Sequence, residues 1–357
     1  MIDWQSLLQR NATDLKTPAL VVDLDAFERN VRKMADHCQA SGIALRPHAK
    51  THKSADIARR QAAAGAIGQC CASLDEAEML VGAGIGSVLI TSPLVTEAAI
   101  RRLLALNAAA SGLMAVTDSE PIVRHLAQAA FSAGQTLKLL VDIDIGHHRT
   151  GIAPGRPARA LAQAIAQSPG LEFAGIQGYA GHLMHLADRA ERQARSATAL
   201  EGLRLTCDQL TGVGLAPGIV SGGGTGSFDI DPAMQVLTEL QAGSYIFMDR
   251  QYNDVWGGQD RAPFETSLFV LTRVVSANHP GMATTDAGLK AFSTDAGAPL
   301  ISFGPGSAYS FFGDEYGCIA LLDDGLARLG DAVVCVVPHC DPTVNLYGQY
   351  LVVRGDE

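Results

Sequence analysis

The sequence predicts a (β/α)8 barrel joined to a smaller, mostly β second domain. Three observations carry that prediction. From about residue 17 to 250, short runs rich in β-branched residues alternate with longer amphipathic stretches, the pattern of parallel strands with helical crossovers. Nine strand candidates fall in this span. Dropping the first leaves the eight that a closed barrel needs, within the usual ~250 residues. After Arg261 the texture changes to short strands separated by turns. On pattern alone, an open doubly wound sheet is the alternative.

The strand candidates are Ala19–Leu24, Ile43–His48, Gly68–Ala72, Ser87–Thr91, Met114–Thr117, Leu137–Asp144, Glu172–Tyr179, Gly218–Ser221 and Ser244–Met248. The first helix is expected to open at an Asp25 N-cap, with apolar Phe27, Val31, Met34 and Cys38 on one face. Ser73 with Glu76 reads as a capping box. Ser92-Pro93 ends a strand before the helical stretch that starts at Thr96. In the tail, Phe264–Ser276, Ala298–Phe303, Gly317–Leu322, Ala332–Val337 and Gln349–Val353 read as strands, with turns at Asp286-Ala-Gly, Pro305-Gly and Asp323-Asp-Gly. The expected division is a barrel over 25–250 and a β-rich, metal-binding domain from 1–24 and 251–357.

Composition narrows the function. The net charge of −10, with no basic block, argues against nucleic acid and anionic membranes as partners. No apolar run reaches the ~20 residues of a membrane-spanning helix, and the opening MIDWQSLLQRN lacks a signal-peptide core. Seven cysteines without a CxxC pair argue against a disulfide framework or a zinc–thiolate site and point to the cytoplasm.

Barrel enzymes build their sites just beyond the C-terminal ends of the strands. Here those positions hold Arg46-Pro-His-Ala-Lys-Thr-His-Lys53, Asp144-Ile-Gly-His-His-Arg149, Gln177-Gly-Tyr179 running to His182 and His185, Ser221-Gly-Gly-Gly-Thr225-Gly-Ser227, and Gln241-Ala-Gly243-Ser244. Consecutive glycines let several backbone N–H groups face one anion, and the loops after strands seven and eight are the usual phosphate site of this architecture. No lysine follows the glycines, so the loop is not a Walker loop, and the spacing is not that of a dinucleotide fingerprint. Only six lysines occur, at 16, 33, 50, 53, 138 and 290. Lys50 stands at a strand end, where burial beside Arg46, His48, His52 and Lys53 would make its amine nucleophilic. A phosphate loop and a Schiff-base lysine on one rim are what pyridoxal 5'-phosphate requires, and Arg149 is a cation able to face the cofactor's phenolate oxygen.

The string RPHAKTHK (46–53) resembles the lysine motif of the D-threonine aldolase and D-serine dehydratase family, pyridoxal-phosphate enzymes of the alanine-racemase-like fold (fold type III). TPALVVDLDAFERN (17–30), GIQGYAG with His185, SGGGTGS (221–227), ELQAGSYIFMDRQY (239–252), TDAGLK (285–290) and PHCDPTVNLY (338–347) extend the likeness over residues 17 to 353. The resemblance implies that Lys50 carries the cofactor. It also implies that Arg149, Tyr179, Gly223, Gly224, Thr225, Gly243, Ser244 and Tyr252 contact it, that His185 is the catalytic base and that the protein is a homodimer.

His339 and Asp341 are two apart on what reads as a strand end, so both would project to one face with Cys340 pointing away. The PHCDPT context marks them as metal ligands by resemblance. An imidazole with a carboxylate suits Mn2+ or Mg2+ better than Zn2+, whereas the dehydratase branch carries a cysteine at position 341. The resemblance thus implies a pyridoxal-phosphate- and divalent-metal-dependent aldolase that cleaves a small D-β-hydroxy-α-amino acid of the D-threonine type to glycine and an aldehyde. The alternatives are a D-serine or 3-hydroxy-D-aspartate dehydratase, a racemase, and a non-catalytic cofactor carrier. The sequence departs from the family pattern at Tyr316 in place of a histidine, at His147-His148 in place of smaller residues, at Cys70-Cys71-Ala72-Ser73, and at its end, VVRGDE, which implies a shortened or divergent tail.

Overall fold

The computed structural model describes residues 2, 4–10, 15–322 and 327–355. The turn expected at Asp323-Asp-Gly lies outside them. The chain divides into two compact units, Met34–Gly243 and Met1–Lys33 with Ser244–Glu357.

In the second of these, helix α1 (Trp4–Arg10) and strand β1 (Ala19–Asp23) precede helix α2 (Leu24–Ser41), within which the division falls. The cap of α2 differs from expectation. Asp23, not Asp25, accepts the Ala26 N–H at 2.9 Å, which starts the helix two residues earlier.

The barrel unit contains β2 (Ala44–Leu45), β3 (Gln69–Cys71), β4 (Val88–Ile90), β5 (Met114–Thr117), β6 (Leu137–Asp142), β7 (Leu171–Gly178), β8 (Ile219–Gly222) and β9 (Glu239–Leu240). These form one parallel sheet in the order β2-β9-β8-β7-β6-β5-β4-β3. The ends meet through a parallel bridge between His48 and Cys70, with Ile67 N–H on Leu45 O at 2.9 Å and Cys70 N–H on Pro47 O at 2.8 Å. Helices α3 (Ala55–Ala63), α4 (Leu74–Gly82), α5 (Glu97–Ala109), α6 (Glu120–Ser132), α7 (Arg156–Gln167) and α8 (Arg189–Thr211) follow β2 to β7 in turn. Ser54, Ser73, Thr96 and Asp188 cap four of them by side-chain acceptance. Only half of the expected capping box forms, because the Glu76 carboxylate takes the Ala72 N–H at 2.7 Å.

One expected barrel strand is wrong. Ser244–Met248 is not the eighth strand; that role belongs to β9. Residues Ser244–Ile246 form a 3₁₀ turn closed by Met248 N–H on Ser244 O at 2.8 Å. Tyr245, Ile246, Phe247 and Met248 are fully buried. An apolar run buried on every side carries no period by which strand and turn can be told apart.

The β-rich unit continues with α9 (Arg250–Val255), β10 (Leu268–His279), β11 (Met282–Thr285), β12 (Leu300–Phe303), β13 (Ala308–Phe311), β14 (Gly317–Ala320), β15 (Ala332–Val336), α10 (Cys340–Val344) and β16 (Leu351–Val353). Its sheet runs β12-β15-β10-β11-β14-β13, and β1 lies antiparallel to β10 and parallel to β16. Trp4, Leu7, Val21, Phe269, Val334 and Val353 share its core. Residues 25–33 and 244–250, expected with the barrel, cluster here for a physical reason. Asn30 donates to the carbonyls of Ile246 at 3.2 Å and Glu265 at 2.7 Å and accepts the Glu265 N–H at 2.8 Å.

Candidate active site

The parallel order of the barrel sheet brings the segments after β2, β9, β8, β7 and β6 to one rim. The inside of the barrel below them is partly polar. Arg46 and Glu239, both 3% exposed, form a bidentate pair at 2.8 and 2.9 Å. Ser221 donates to Glu239 at 2.7 Å, and Gln241 donates to Ser221 at 2.7 Å and to Gln177 at 2.9 Å. Gln177 donates to Asp142 at 3.1 Å, and Thr150 donates to the other Asp142 oxygen at 2.7 Å. Burial raises the Asp142 carboxyl above the usual carboxylate range, against the pull of these donors. The network satisfies groups that would otherwise be costly in the interior and fixes the strand ends against one another.

Lys50 sits in a 3₁₀ turn, Ala49–Thr51, directly after β2. Its neighbours are committed elsewhere. Arg46 is held by Glu239, and the Lys53 amine lies 3.8 Å from Glu76. The Thr91 hydroxyl donates to Cys71 O at 3.0 Å, so His48 Nε2, 3.1 Å from that hydroxyl, must be the donor of their contact. His48 Nδ1 then accepts the Lys50 N–H at 3.4 Å, which orients the turn. Arg46 and Lys53 therefore do not present the bare positive charges that the sequence placed around Lys50. The buried Thr51 hydroxyl has no hydrogen-bond partner among the described residues, and a Cβ built on Gly243 would lie 2.6 Å from it.

The glycine loop after β8 is close-packed. Gly223 has φ +71°, and a Cβ there would meet Leu240 at 2.6 Å and Asp231 Oδ2 at 2.9 Å. A Cβ on Gly224 would lie 2.8 Å from Met184 Sδ, and one on Gly226 would lie 2.1 Å from Met184 O. Gly224 N–H donates to Ser227 Oγ at 3.3 Å, and Thr225 is 2% exposed. Larger residues would fill this cradle, so the backbone itself is what the loop can offer an anion.

After β6 and β7, the Arg149 guanidinium lies 5.4 Å from the centre of the Tyr179 ring. His147 meets Tyr179 edge-on at 6.0 Å and stacks on His182 at 5.5 Å. Asp142, His147, Arg149, Gln177 and Tyr179 line a small, partly enclosed pocket of about 10 Å3. Burial, then Arg149 and His182, lowers the His147 pKa; burial, then Arg195, lowers that of His182. His185 is exposed, one residue beyond the 3₁₀ turn Gly181–Leu183 and its cap Met184. The stacked imidazoles were missed as a pair. Their signal was present in the unusual His147-His148, but nothing in the sequence joined it to His182.

In the β-rich unit, Ser244 opens the 3₁₀ turn and buried Tyr252 lies in α9. Asp249 caps α9 by accepting the Tyr252 N–H at 2.8 Å, and its other oxygen accepts the Cys340 N–H at 2.8 Å. His339 and Asp341 are not on a strand end as expected. β15 stops at Val336, His339 is the extended N-cap of α10, and Asp341 stands in the first helical turn. Strand alternation therefore does not set their directions, although Cys340 is buried as expected. His339 Nδ1 is 2.7 Å from Asp295 Oδ2, which fixes the ring and leaves Nε2 for a ligand. Asp295 was not legible from the sequence. Among the described residues, no group of three or more His, Cys, Asp or Glu side chains is placed to hold a metal. An imidazole with a carboxylate orienter, followed by a carboxylate, is a donor set that fits a divalent ion retaining positions for water and substrate.

A (β/α)8 barrel with a lysine turn and a close-packed glycine loop on one rim, in a chain with a β-rich second unit, is the architecture of the alanine-racemase-like class of proteins. Residues 22–251 match the model of the alanine racemase N-terminal domain, and residues 267–353 match that of a putative serine dehydratase domain. The chain belongs to this family. It is 37% identical to a 3-hydroxy-D-aspartate aldolase of Paracoccus denitrificans (strain Pd 1222), over 99% of this chain and 92% of that protein. It is 39% identical to a D-threonine aldolase of Arthrobacter sp, over 95% and 89%. The crystal structure of D-threonine aldolase from Filomicrobium marinum superposes with a TM-score of 0.91 at 41% identity, covering 96% of this chain and 92% of that one. No helix among the described residues is long and apolar enough to cross a membrane.

Proposed function

We propose that the protein is a pyridoxal-phosphate- and divalent-metal-dependent aldolase that cleaves D-β-hydroxy-α-amino acids to glycine and an aldehyde. One observation carries the reading: Lys50 after β2 and the glycine loop after β8 stand on one barrel rim, on strands separated only by β9. Near-full-length identity of 37% and 39% to two aldolases supports the reaction type. Bound there, the cofactor supplies a sink for the electron pair of the breaking Cα–Cβ bond, and the metal ion supplies a Lewis acid for the β-hydroxyl.

The chain's own residues supply the rest. Lys50 holds the cofactor and returns a proton to Cα of the glycine fragment. Gly223, Thr225, Gly243 and Ser244 offer N–H and hydroxyl donors to the phosphate, and Gly224, without a side chain, lets it approach the backbone. Tyr179 and Tyr252 give it aromatic contacts, and Arg149, over the Tyr179 ring, faces the phenolate oxygen. His339 and Asp341 hold the metal, Mn2+ or Mg2+ in preference to Zn2+ on the hardness of the carboxylate. His185 takes the β-hydroxyl proton as the Cβ–O bond becomes the aldehyde carbonyl. We expect a homodimer working in the cytoplasm, in keeping with seven cysteines of which none is in a disulfide.

Product analysis tests the reading. D-Threonine should yield glycine and acetaldehyde, and 3-hydroxy-D-aspartate should yield glycine and glyoxylate. Ammonia with 2-oxobutanoate from D-threonine would instead mark a dehydratase.

A further inference from the structure

Behind the glycine loop lies a carboxyl group that the chemistry above does not use. Asp231 is 4% exposed and follows the loop within a 3₁₀ turn, Asp231–Met234. Its Oδ2 accepts the Ser227 hydroxyl at 2.5 Å, and the Ser227 oxygen in turn accepts the Gly224 N–H at 3.3 Å. The same Oδ2 would lie 2.9 Å from a Cβ on Gly223, so the carboxyl backs directly onto the loop's left-handed glycine. Its second oxygen, Oδ1, is buried and meets no hydrogen-bond partner of ordinary geometry among the described residues.

We propose that Asp231 is a positioning residue for the anion loop: it sets Ser227 and Gly224 from behind and takes up a proton when a phosphate group docks in front. The inference rests on the reading that the loop binds the cofactor's phosphate, and it adds a residue and a proton to that reading.

The surroundings of Asp231 leave it close to titration. Burial raises its pKa to about 6, against the pull of Ser227 and Ser196. The charge of Asp229, of like sign, also raises it and is itself held by Arg189 at 2.8 Å. From α8, Ser196 faces the carboxyl, while the Arg192 guanidinium donates to the Leu186 carbonyl. On the loop's other side, Leu237 and Leu240 fill the space against Gly223. In the empty loop at neutral pH the carboxyl is ionised. A phosphate on the far side of two glycines adds negative charge in a poorly solvated place, so the charged carboxylate becomes less favourable and binds a proton. By linkage, the phosphate binds more tightly to the protonated form. Once protonated, Asp231 donates to Ser227 Oγ rather than accepting from it, so the relay to Gly224 persists.

The test is titration of the apoenzyme with pyridoxal phosphate, and separately with pyridoxal, which lacks the phosphate. Visible absorbance is followed from about pH 5 to about pH 8 for the wild type, Asp231→Asn and Ser227→Ala. The phosphate's own ionisation is common to all three proteins and cancels when affinities are compared as ratios. The affinity of Asp231→Asn for pyridoxal phosphate, relative to wild type, should rise about tenfold across that range, while the same ratio for pyridoxal stays flat. Ser227→Ala removes the donor that favours the carboxylate. It should move the pH at which affinity declines upward, a shift that a merely structural loss would not produce. A ratio independent of pH for both ligands, with wild type binding normally, overturns the role of Asp231 alone. Failure of wild type to bind pyridoxal phosphate overturns the cofactor reading and this inference with it.

Discussion

Asp249 Oδ2 accepts the backbone N–H of Cys340 at 2.8 Å, and the opposite oxygen accepts the N–H of Tyr252, also at 2.8 Å. One fully buried carboxyl thus fixes the start of α9 and the start of α10 together. Replacing Asp249 by Ala leaves two buried N–H donors unmet, at about 1–3 kcal/mol each. Chemical denaturation of Asp249→Ala should show a loss of that order, and a midpoint unchanged from wild type would refute the role.

Lys50 and Lys53 occupy one motif but different situations. Borohydride reduction of the holoenzyme followed by peptide mapping should place the label on Lys50, and Lys50→Ala should lose the cofactor's visible absorbance. Lys53→Ala, which removes a loose 3.8 Å ion pair with Glu76, should change stability by less than about 1 kcal/mol. Label on Lys53 would overturn the assignment.

Metal removal should separate turnover from cofactor retention. Chelation, or Asp341→Ala, is expected to abolish cleavage while the bound cofactor's absorbance persists. Asp295→Asn, which loosens the His339 ring without touching a ligand, should weaken metal affinity about 10–100-fold. Metal titration of activity measures both, and unchanged metal affinity in Asp295→Asn would show that the ring is held by other means.

His185→Ala should lower turnover about 100-fold or more with cofactor binding intact. Near-full turnover would return His185 to the surface and leave the proton to another group.

The stacked pair His147 and His182 has a pH signature. Burial first, and then neighbouring cations, hold both imidazoles below their ordinary pKa. The unfolded chain therefore binds more protons, and their contribution to stability is present above the ordinary value near ~6.5 and is lost as pH falls below it. Melting temperature should decline from about pH 7 to about pH 5, and less steeply in His147→Gln. An identical slope in the two proteins would remove the pair from the account.

Much of this was legible because barrel strands announce themselves. Met114–Thr117 and Leu137–Asp142 are apolar runs between turn residues, and the glycine loop follows its strand directly. What was not legible depended on contacts between residues far apart in the chain. Ser244–Met248 has the composition of a strand, but its hydrogen bonds close locally. Strands β11 and β13, Met-Ala-Thr-Thr and Ala-Tyr-Ser-Phe, are four residues each and half-exposed, too short to display a period. Gln177 and Gln241 meet at 2.9 Å across 64 positions. Asp295 reaches His339 across 44. No local pattern marks such partners.

The barrel closes between β2 and β3 on a narrow seam, with the bridge His48–Cys70 two residues before Lys50. A small molecule anchored on Lys50 would therefore sit beside this short seam. Occupancy is then expected to favour closure, with the ligand as a clasp on the protein that holds it. The amides of Ile67 and Cys70, which donate across that seam, should be the barrel protons whose exchange with deuterium slows most when the cofactor is added. If helix amides on the far wall slow equally, the barrel stiffens as a whole and the clasp is absent.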